Sequence, residues 1–539
     1  MRPNIVLITA DQWRGDCLGV AGHPVVRTPH VDALASEATT FARHYAQASP
    51  CGPSRACLYT GLYQMTNRVV RNGTPLDGRH DNIALALRRA GYDPTLFGYT
   101  DQAIDPRTTS GDDPWLRSYE GILPGFSVRL RLPEDVGPWL SWLKARGHEV
   151  PSDPWQMYLP QGSPGDRPTS APSRYSQDET ETAFLTDEFL RWLDEQHSEL
   201  RAGKPWCAHI SFLRPHPPFV VPEPFNTMYD PAEGPDFIRA ETLEAERASH
   251  PLVDYWIGGQ KRSQHYVIGA GDGLVCDWTE ADFRQLRATY WGMISEVDRQ
   301  IGRIVAGLKA RGDWDNTLFV LTSDHGEMMG DHWTLGKFGF HEQSYHVPLI
   351  IRDPARPESF GACVEGFSES VDIFPTLMAA AGLDAPAHLD GCSLVPALEG
   401  LPSPRDAVFW EYDFREVASG AAQDALGLEM DACSMAVVRT ERWKYVHFAA
   451  LPPLLFDLRD DPGELVNLAA DPAHAETRIA MAERLLSWRA KHLDRRLSGI
   501  ELTPDGLVDG RGRAHSERQV VPGYSRFAPR CVSKDAISQ

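Results

Sequence analysis

The chain has 539 residues, 42% of them hydrophobic, and its 53 Lys and Arg against 74 Asp and Glu give a formal net charge of −21. That length is too great for one simple core and implies a large domain with a smaller one. The acidic balance excludes nucleic acid as a general partner, because phosphate binding needs a basic face.

No run of about 18 apolar residues occurs, so no membrane-spanning helix is expected. The nine Cys form no Cys-x-x-Cys or paired framework, as expected of a reducing cytoplasm. The chain enters at once into Asn4–Ala10, an apolar run too short for a bilayer and lacking signal-peptide features, and so a buried first strand. Asp11 and Gln12 follow it. Two oxygen-bearing side chains at the carboxyl end of a buried strand are placed to ligate a hard cation. Cys51 then lies in a rigid turn with Gly52 and Pro53, followed by Ser54, Arg55 and a helix-compatible run. A polar loop surrounds Asn72, residues 83–90 read as a short helix, and residues 91–100 as a turn and a second parallel strand ending in Gly98-Tyr99-Thr100-Asp101.

Residues 103–180 show little periodicity, and 152–176 are rich in Pro, Ser, Gly and Asp, as in an insertion or lid. A helix over 179–195 and a strand over 206–212 lead to Arg214-Pro215-His216-Pro217-Pro218. Residues 219–280 have no strong pattern and are expected to cover a cleft. Residues 279–311 form a long amphipathic helix whose apolar positions recur at steps of three and four. A strand over 317–322 ends in Ser323-Asp324-His325-Gly326-Glu327, a second metal-ligating pair at a strand end. Lys337 and a buried strand near 347–351 come next. Short β-like pieces at 408–412, 435–440 and 443–448 precede an amphipathic helix over 475–492, with a domain boundary near 400. The tail, 493–539, carries seven Arg and one Lys. It reads either as partly disordered or as an arm that pairs with acidic surface on a neighbouring subunit.

Taken together, Ala10-Asp11-Gln12, Cys51-x-Pro53-Ser54-Arg55 with Thr60-Gly61, His216, Thr322-Ser323-Asp324-His325-Gly326-Glu327, Lys337 and Leu455-Phe456-Asp457 resemble the type I sulfatases and their relatives in the alkaline phosphatase superfamily. The resemblance implies an alkaline-phosphatase-like α/β fold, with a large, mostly parallel central sheet flanked by helices over 1–400. It also implies a smaller C-terminal α+β subdomain with an antiparallel sheet over 401–492. Cys51 would be oxidised to formylglycine by a formylglycine-generating enzyme, and the hydrated aldehyde would be the nucleophile. Asp11, Gln12, Asp324 and His325 would hold one divalent ion. Mostly oxygen donors with one imidazole suit Mn²⁺ or Ca²⁺ and accept Zn²⁺. Arg55 would hold the nucleophile's charge, His216 would contact or protonate the leaving group, and Lys337 would touch the transferred oxygens. Asn72, Tyr99 and Thr100 would hydrogen-bond a small anionic ester substrate.

Typical sulfatases end the second strand in Gly-Lys-Trp-His, whereas this chain has Gly98-Tyr99-Thr100-Asp101. Loss of that cation resembles the phosphonate monoester hydrolase branch. The implied activity is hydrolysis of phosphonate monoesters and phosphodiesters with promiscuous arylsulfatase action, the alternative being a dedicated sulfatase. The branch also implies a cytoplasmic homo-oligomer, with a tetramer favoured, and neither a nucleic-acid nor a membrane partner.

Overall fold

The first strand decides the layout. β1 (Asn4–Ala10) is buried at every residue, as a parallel strand covered on both faces must be. Its side chains alternate between two cores. Ile5 and Leu7 pack with Ala56, Leu58, Leu87 and Leu377, while Val6 and Ile8 pack with Phe97, Ile210, Leu286 and Ile294. The computed structural model describes residues 2–133, 136–162, 167–196, 203–265, 273–504 and 506–509.

β1 lies inside a nine-stranded sheet. Its order is β4 (Ser127–Arg131), β3 (Pro94–Gly98), β5 (Cys207–Phe212), β1, β6 (Thr317–Thr322), β8 (Leu349–Arg352), β2 (Thr39–Tyr45) and β7 (His346–Val347), with β9 (Cys363–Glu369) also beside β2. From β4 through β6 every pairing is parallel, and β8 runs antiparallel to β6 and β2. Thr9 lies opposite both Ser211 and Thr322, and Ala10 opposite Phe212. The residues after β1, β5 and β6 therefore emerge side by side at one edge, where open α/β sheets place their ligands.

The long helix spans Glu280–Arg311, as its periodicity requires. Thr279 and Asp282 cap its start reciprocally, and Gly312 at φ 76° ends it. Two irregular regions hold more structure than their sequences suggest. β4 falls within 103–180, a short charged strand at the sheet edge with Val128 exposed. Helices Leu243–Ser249 and Pro251–Gly259 fall within 219–280 and are too short to register as a period. Thr242 and His250 cap them.

A second sheet, fully antiparallel, runs β10 (Ala407–Asp413), β11 (Ser434–Thr440), β12 (Trp443–Phe448), β13 (Leu454–Asp457). The helix Ala475–Lys491 covers one face through Met481, Leu485 and Trp488, against Ala436, Val438 and Leu455. The other face packs Met435 and Val437 against Tyr45, Trp256 and Tyr345, so both sheets lie in one compact unit, residues 1–385 with 389–493. β10 also reaches the Cys51 region. The Glu411 backbone N–H donates to Gln47 O at 2.9 Å, Ala48 bridges Glu411 in parallel, and Glu411 Oε2 accepts from Met65 N at 2.7 Å. One strand thus grips the chain on both sides of the Cys51–Thr60 helix.

A second unit comprises 386–388 with 494–539, in which β14 (Ile500–Thr503) pairs with β15 (Gly506–Asp509). Residues 510–539, most of the expected arm, lie outside the described residues. Among the described residues no helix is long and apolar enough to cross a membrane.

Candidate active site

The helix Cys51–Thr60 starts at Cys51 itself, is buried along all ten residues, and stops at Gly61 in the left-handed region. Cys51 therefore sits at the positive end of the helix, which favours negative charge there. The start of the helix is tied down three ways. Ser54 Oγ donates to Asp324 O, Gly52 N donates to Asn72 Oδ1 at 2.8 Å, and Ser49 Oγ donates to Lys337 O at 2.6 Å.

The strand ends bring the expected ligands to this point. Asp11, Cys51, Asp324 and His325 each offer an atom within 4.8 Å of the others, and all are buried. Cys51 Sγ lies 3.2 Å from His325 Nε2, 3.2 Å from Lys337 Nζ and 3.8 Å from Asp11 Oδ1. Gln12 adopts φ 70°, unusual for a non-glycine residue, and its N–H donates to Asp324 Oδ1 at 3.2 Å. Its side-chain Nε2 donates to Glu327 Oε2, which turns Oε1 toward Lys337 Nζ at 2.8 Å. Two carboxylates, an amide oxygen and an imidazole form a mostly oxygen donor set, and a hard or borderline divalent cation fits it.

Arg55 binds this group together. Its Nε donates to Asp324 Oδ2 at 2.8 Å, Nη1 to Ser211 Oγ at 2.7 Å, and Nη2 to Asp11 Oδ2 at 3.2 Å and Tyr99 Oη at 3.0 Å. Tyr99 in turn donates to Asp11 Oδ2 at 2.6 Å, and its ring lies 4.3 Å from the guanidinium carbon. Gly98 makes the approach possible. It has φ 108°, and a Cβ there would lie 2.2 Å from Ser211 O. Burial alone would push the Asp11 carboxyl up. The cations beside it, Lys337 and Arg55, outweigh it and hold Asp11 well below the usual carboxylate range. Burial, with Asp11 beside it, pushes the Cys51 thiol well above its ordinary value. An unmodified thiol here is protonated and a poor nucleophile.

Asn72 holds the helix start and lines a cavity of about 350 Å³ together with Pro50, Lys337, Trp256, Tyr412 and Phe414. His216 hydrogen-bonds Pro217 O through Nδ1 at 2.8 Å, and burial, then Lys337, lowers its pKa to about 3. It is neutral at neutral pH, with the lone pair on Nε2. Two sequence expectations need correction. Thr100 commits its hydroxyl to the chain, donating to Gly121 O at 2.8 Å and accepting from Leu123 N at 2.9 Å, with no exposure. Tyr99 directs its hydroxyl at Asp11. Sequence reasoning also passed over Ser211, Glu327 and Asp101, the last 4.0 Å from Arg55 Nε. Each stands at or just past a strand end, which was the available signal.

A family model described as Sulfatase matches residues 3–383, and one described as N-sulphoglucosamine sulphohydrolase, C-terminal, matches residues 330–491. The chain is 55% identical to a phosphonate monoester hydrolase of Agrobacterium radiobacter, whose crystal structure aligns over 95% of this chain and 100% of its own with a TM-score of 0.91. It is 40% identical to the phosphonate monoester hydrolase SpPMH of Silicibacter pomeroyi, over 95% of this chain and 100% of the other, with a TM-score of 0.88. It is also 42% identical over 517 residues to the multifunctional alkaline phosphatase superfamily protein PehA of Trinickia caryophylli, covering 94% of this chain and 99% of PehA. Likeness of this extent, over both sheets and the strand ends that meet at Cys51, places the chain in the sulfatase family of the alkaline phosphatase superfamily, as an ester hydrolase.

Proposed function

We propose that the protein hydrolyses phosphonate monoesters and phosphodiesters, with arylsulfatase action as a side reaction of the same site. The observation that carries this reading is the charge arrangement around Cys51. Asp11, Asp324 and Asp101 stand against Arg55 and Lys337, and burial raises the pKa of Glu327, which lies beyond Gln12. With so few cations, a site holding a divalent ion suits a singly charged ester better than a doubly charged phosphate monoester, whose second charge would be buried unpaired. Tyr99, where typical sulfatases carry Lys, is what removes the further cation. A sulfate monoester is also singly charged, which is why sulfatase action belongs to this reading. The names of two relatives, both phosphonate monoester hydrolases, agree with it.

Asp11, Gln12, Asp324 and His325 would hold the ion, Mn²⁺ or Ca²⁺ by donor type, and when bound it would polarise a substrate oxygen and lower the pKa of the nucleophile. Cys51 is proposed as the formylglycine precursor. One hydroxyl of the hydrated aldehyde would attack phosphorus as the ester P–O bond breaks and the alcohol leaves, and deprotonation of the other hydroxyl would then expel the phosphonate or phosphate and regenerate the aldehyde. Arg55 pairs with Asp11 and Asp324 and aims them. Lys337 stabilises charge on the transferred oxygens. His216, neutral, contacts the leaving group, and it becomes an acid only by taking up a proton once substrate is bound.

Two measurements test the proposal. The Cys51 peptide from active protein should be about 18 Da lighter than the thiol form, and an unmodified peptide in fully active protein would refute the nucleophile. Comparison of kcat/KM for an aryl phenylphosphonate, a diaryl phosphate and an aryl sulfate should rank phosphorus first. A tenfold preference for sulfate would make the enzyme a dedicated arylsulfatase.

A further inference from the structure

Behind the loop that carries Lys337 is a second cluster of metal-ligating side chains. His332, His341 and Glu464 each offer one ligand atom within 4.8 Å of the others, and all three are buried. His332 and His341 flank Lys337 in the sequence, and Glu464 comes from the segment after β13. We propose that these three residues form a second metal site of the zinc type, separate from the one at Cys51. It would fasten both ends of the Lys337 loop to the C-terminal sheet.

Three observations carry the proposal. First, His332 is oriented as a ligand. Its Nδ1 hydrogen-bonds Glu246 Oε1 at 2.9 Å, which fixes the proton there and leaves the lone pair on Nε2. That Nε2 is buried and has no hydrogen-bond partner among the described residues. A carboxylate behind a histidine whose other nitrogen faces a cluster is the arrangement that orients metal-binding imidazoles. An unpartnered buried nitrogen is otherwise a cost to the fold.

Second, the backbone is strained where the ligands sit. His332 has φ 51° and Glu464 φ 59°, both in the left-handed region that these residues rarely adopt. Such strain persists where the surrounding structure imposes it, commonly at binding sites. Third, two buried carboxylates border the cluster: Glu246 behind His332, and Glu464, whose Oε1 also pairs with Lys444.

Two imidazoles and a carboxylate suit Zn²⁺, with water as a fourth ligand. Without metal, the His332 and His341 rings are stacked with centroids 3.6 Å apart, and His341 Nδ1 lies 3.2 Å from Glu464 Oε2. Binding needs the His341 ring to turn, its proton to move to Nε2, and the ligand atoms to close to about 3.4 Å, the edge of a tetrahedron with bonds of about 2.1 Å.

The test uses the full chain and Zn²⁺ alone. Protein stripped by chelator, reloaded and desalted should carry two zinc per chain by elemental analysis. Asp324→Asn/His325→Gln, which disables the Cys51 site, should keep one, and adding His341→Gln and Glu464→Gln should leave none with an unchanged circular dichroism spectrum. Crystals of the wild-type chain soaked in zinc should show an anomalous peak about 2.1 Å from His332 Nε2. This last measurement decides the matter even if the multiple variants fail to fold. No peak there overturns the proposal, as does a second equivalent that survives loss of His341 and Glu464.

Discussion

Tyr99 is the residue on which sequence and structure assign different roles, and Tyr99→Phe separates them. The hydroxyl donates to an ionised carboxylate, Asp11 Oδ2, at 2.6 Å and accepts from Arg55. Hydrogen bonds to charged groups are worth about 1.5–3 kcal/mol. Removing this one leaves Asp11 Oδ2 with Arg55 Nη2 at 3.2 Å and lets the carboxylate turn. Every 1.4 kcal/mol is tenfold, so the loss corresponds to about tenfold to a hundredfold. A side chain that acts through a metal ligand should weaken metal affinity by the same order, about 10–100-fold. The assay is a chelator-competition titration of Mn²⁺ beside steady-state kinetics on an aryl phosphonate monoester at saturating metal. Metal affinity and kcat should fall, with KM within about threefold of wild type. Unchanged metal affinity with a raised KM and preserved kcat would refute the reasoning and return Tyr99 to direct substrate contact.

Arg55→Lys should destabilise the fold by about 3–5 kcal/mol in urea denaturation, because it leaves the buried Asp11 and Asp324 underpaired. A loss below 1 kcal/mol would mean that the carboxylates find other partners. Lys337→Met should lower kcat/KM by about 10²–10³, as loss of a charge stabiliser does, while Cys51 conversion, read by mass, stays complete. His209 is buried, with Nε2 on Tyr59 Oη and Nδ1 on Leu7 O. Burial lowers its pKa to about 3 from 6.5. The unfolded chain therefore binds the extra proton below pH 6.5, and stability falls by about 1.4 kcal/mol per pH unit from this group as pH drops toward 3. His209→Gln should remove that component of the slope, and an unchanged slope would show that the histidine charges in the native state.

What was legible in the sequence follows from how each feature is encoded. β1, β6 and the Glu280–Arg311 helix are written locally, in continuous apolar runs or in caps such as Thr279, Asp282 and Gly312. β4 has the sequence Ser-Val-Arg-Leu-Arg, and its strand character depends on pairing with β3, a partner about thirty residues away that no window sees. Asp11, Gln12, Asp324 and His325, with Cys51, stood out because each sits in a motif at a strand or helix end, and the structure gathers Asp11, Cys51, Asp324 and His325 into one buried cluster. Ser211 and Glu327 did not, because what ties them to the site is contact with Arg55 and Gln12 from distant segments. Tyr99 and Thr100 were located correctly at the end of β3. Which way their hydroxyls face is set by Asp11 and by the 121–123 loop, and the strand sequence carries no sign of either.

The grip of β10 on the nucleophile region gives the two walls of the cleft unequal freedom to change. Tyr412 and Phe414 line one wall and are joined through Glu411 to Gln47 and Met65, so a substitution that shifts this strand also shifts the segment bearing Cys51. Tyr255 and Trp256 line the cavity beside them, the first hydrogen-bonded to Glu416 and the second packed edge-on against Tyr412, on a short helix that among the described residues makes no backbone hydrogen bond to the segment bearing Cys51. Variants that alter substrate range without loss of turnover should therefore accumulate on the Pro251–Gly259 helix, while β10 admits only replacements that preserve its volume and position.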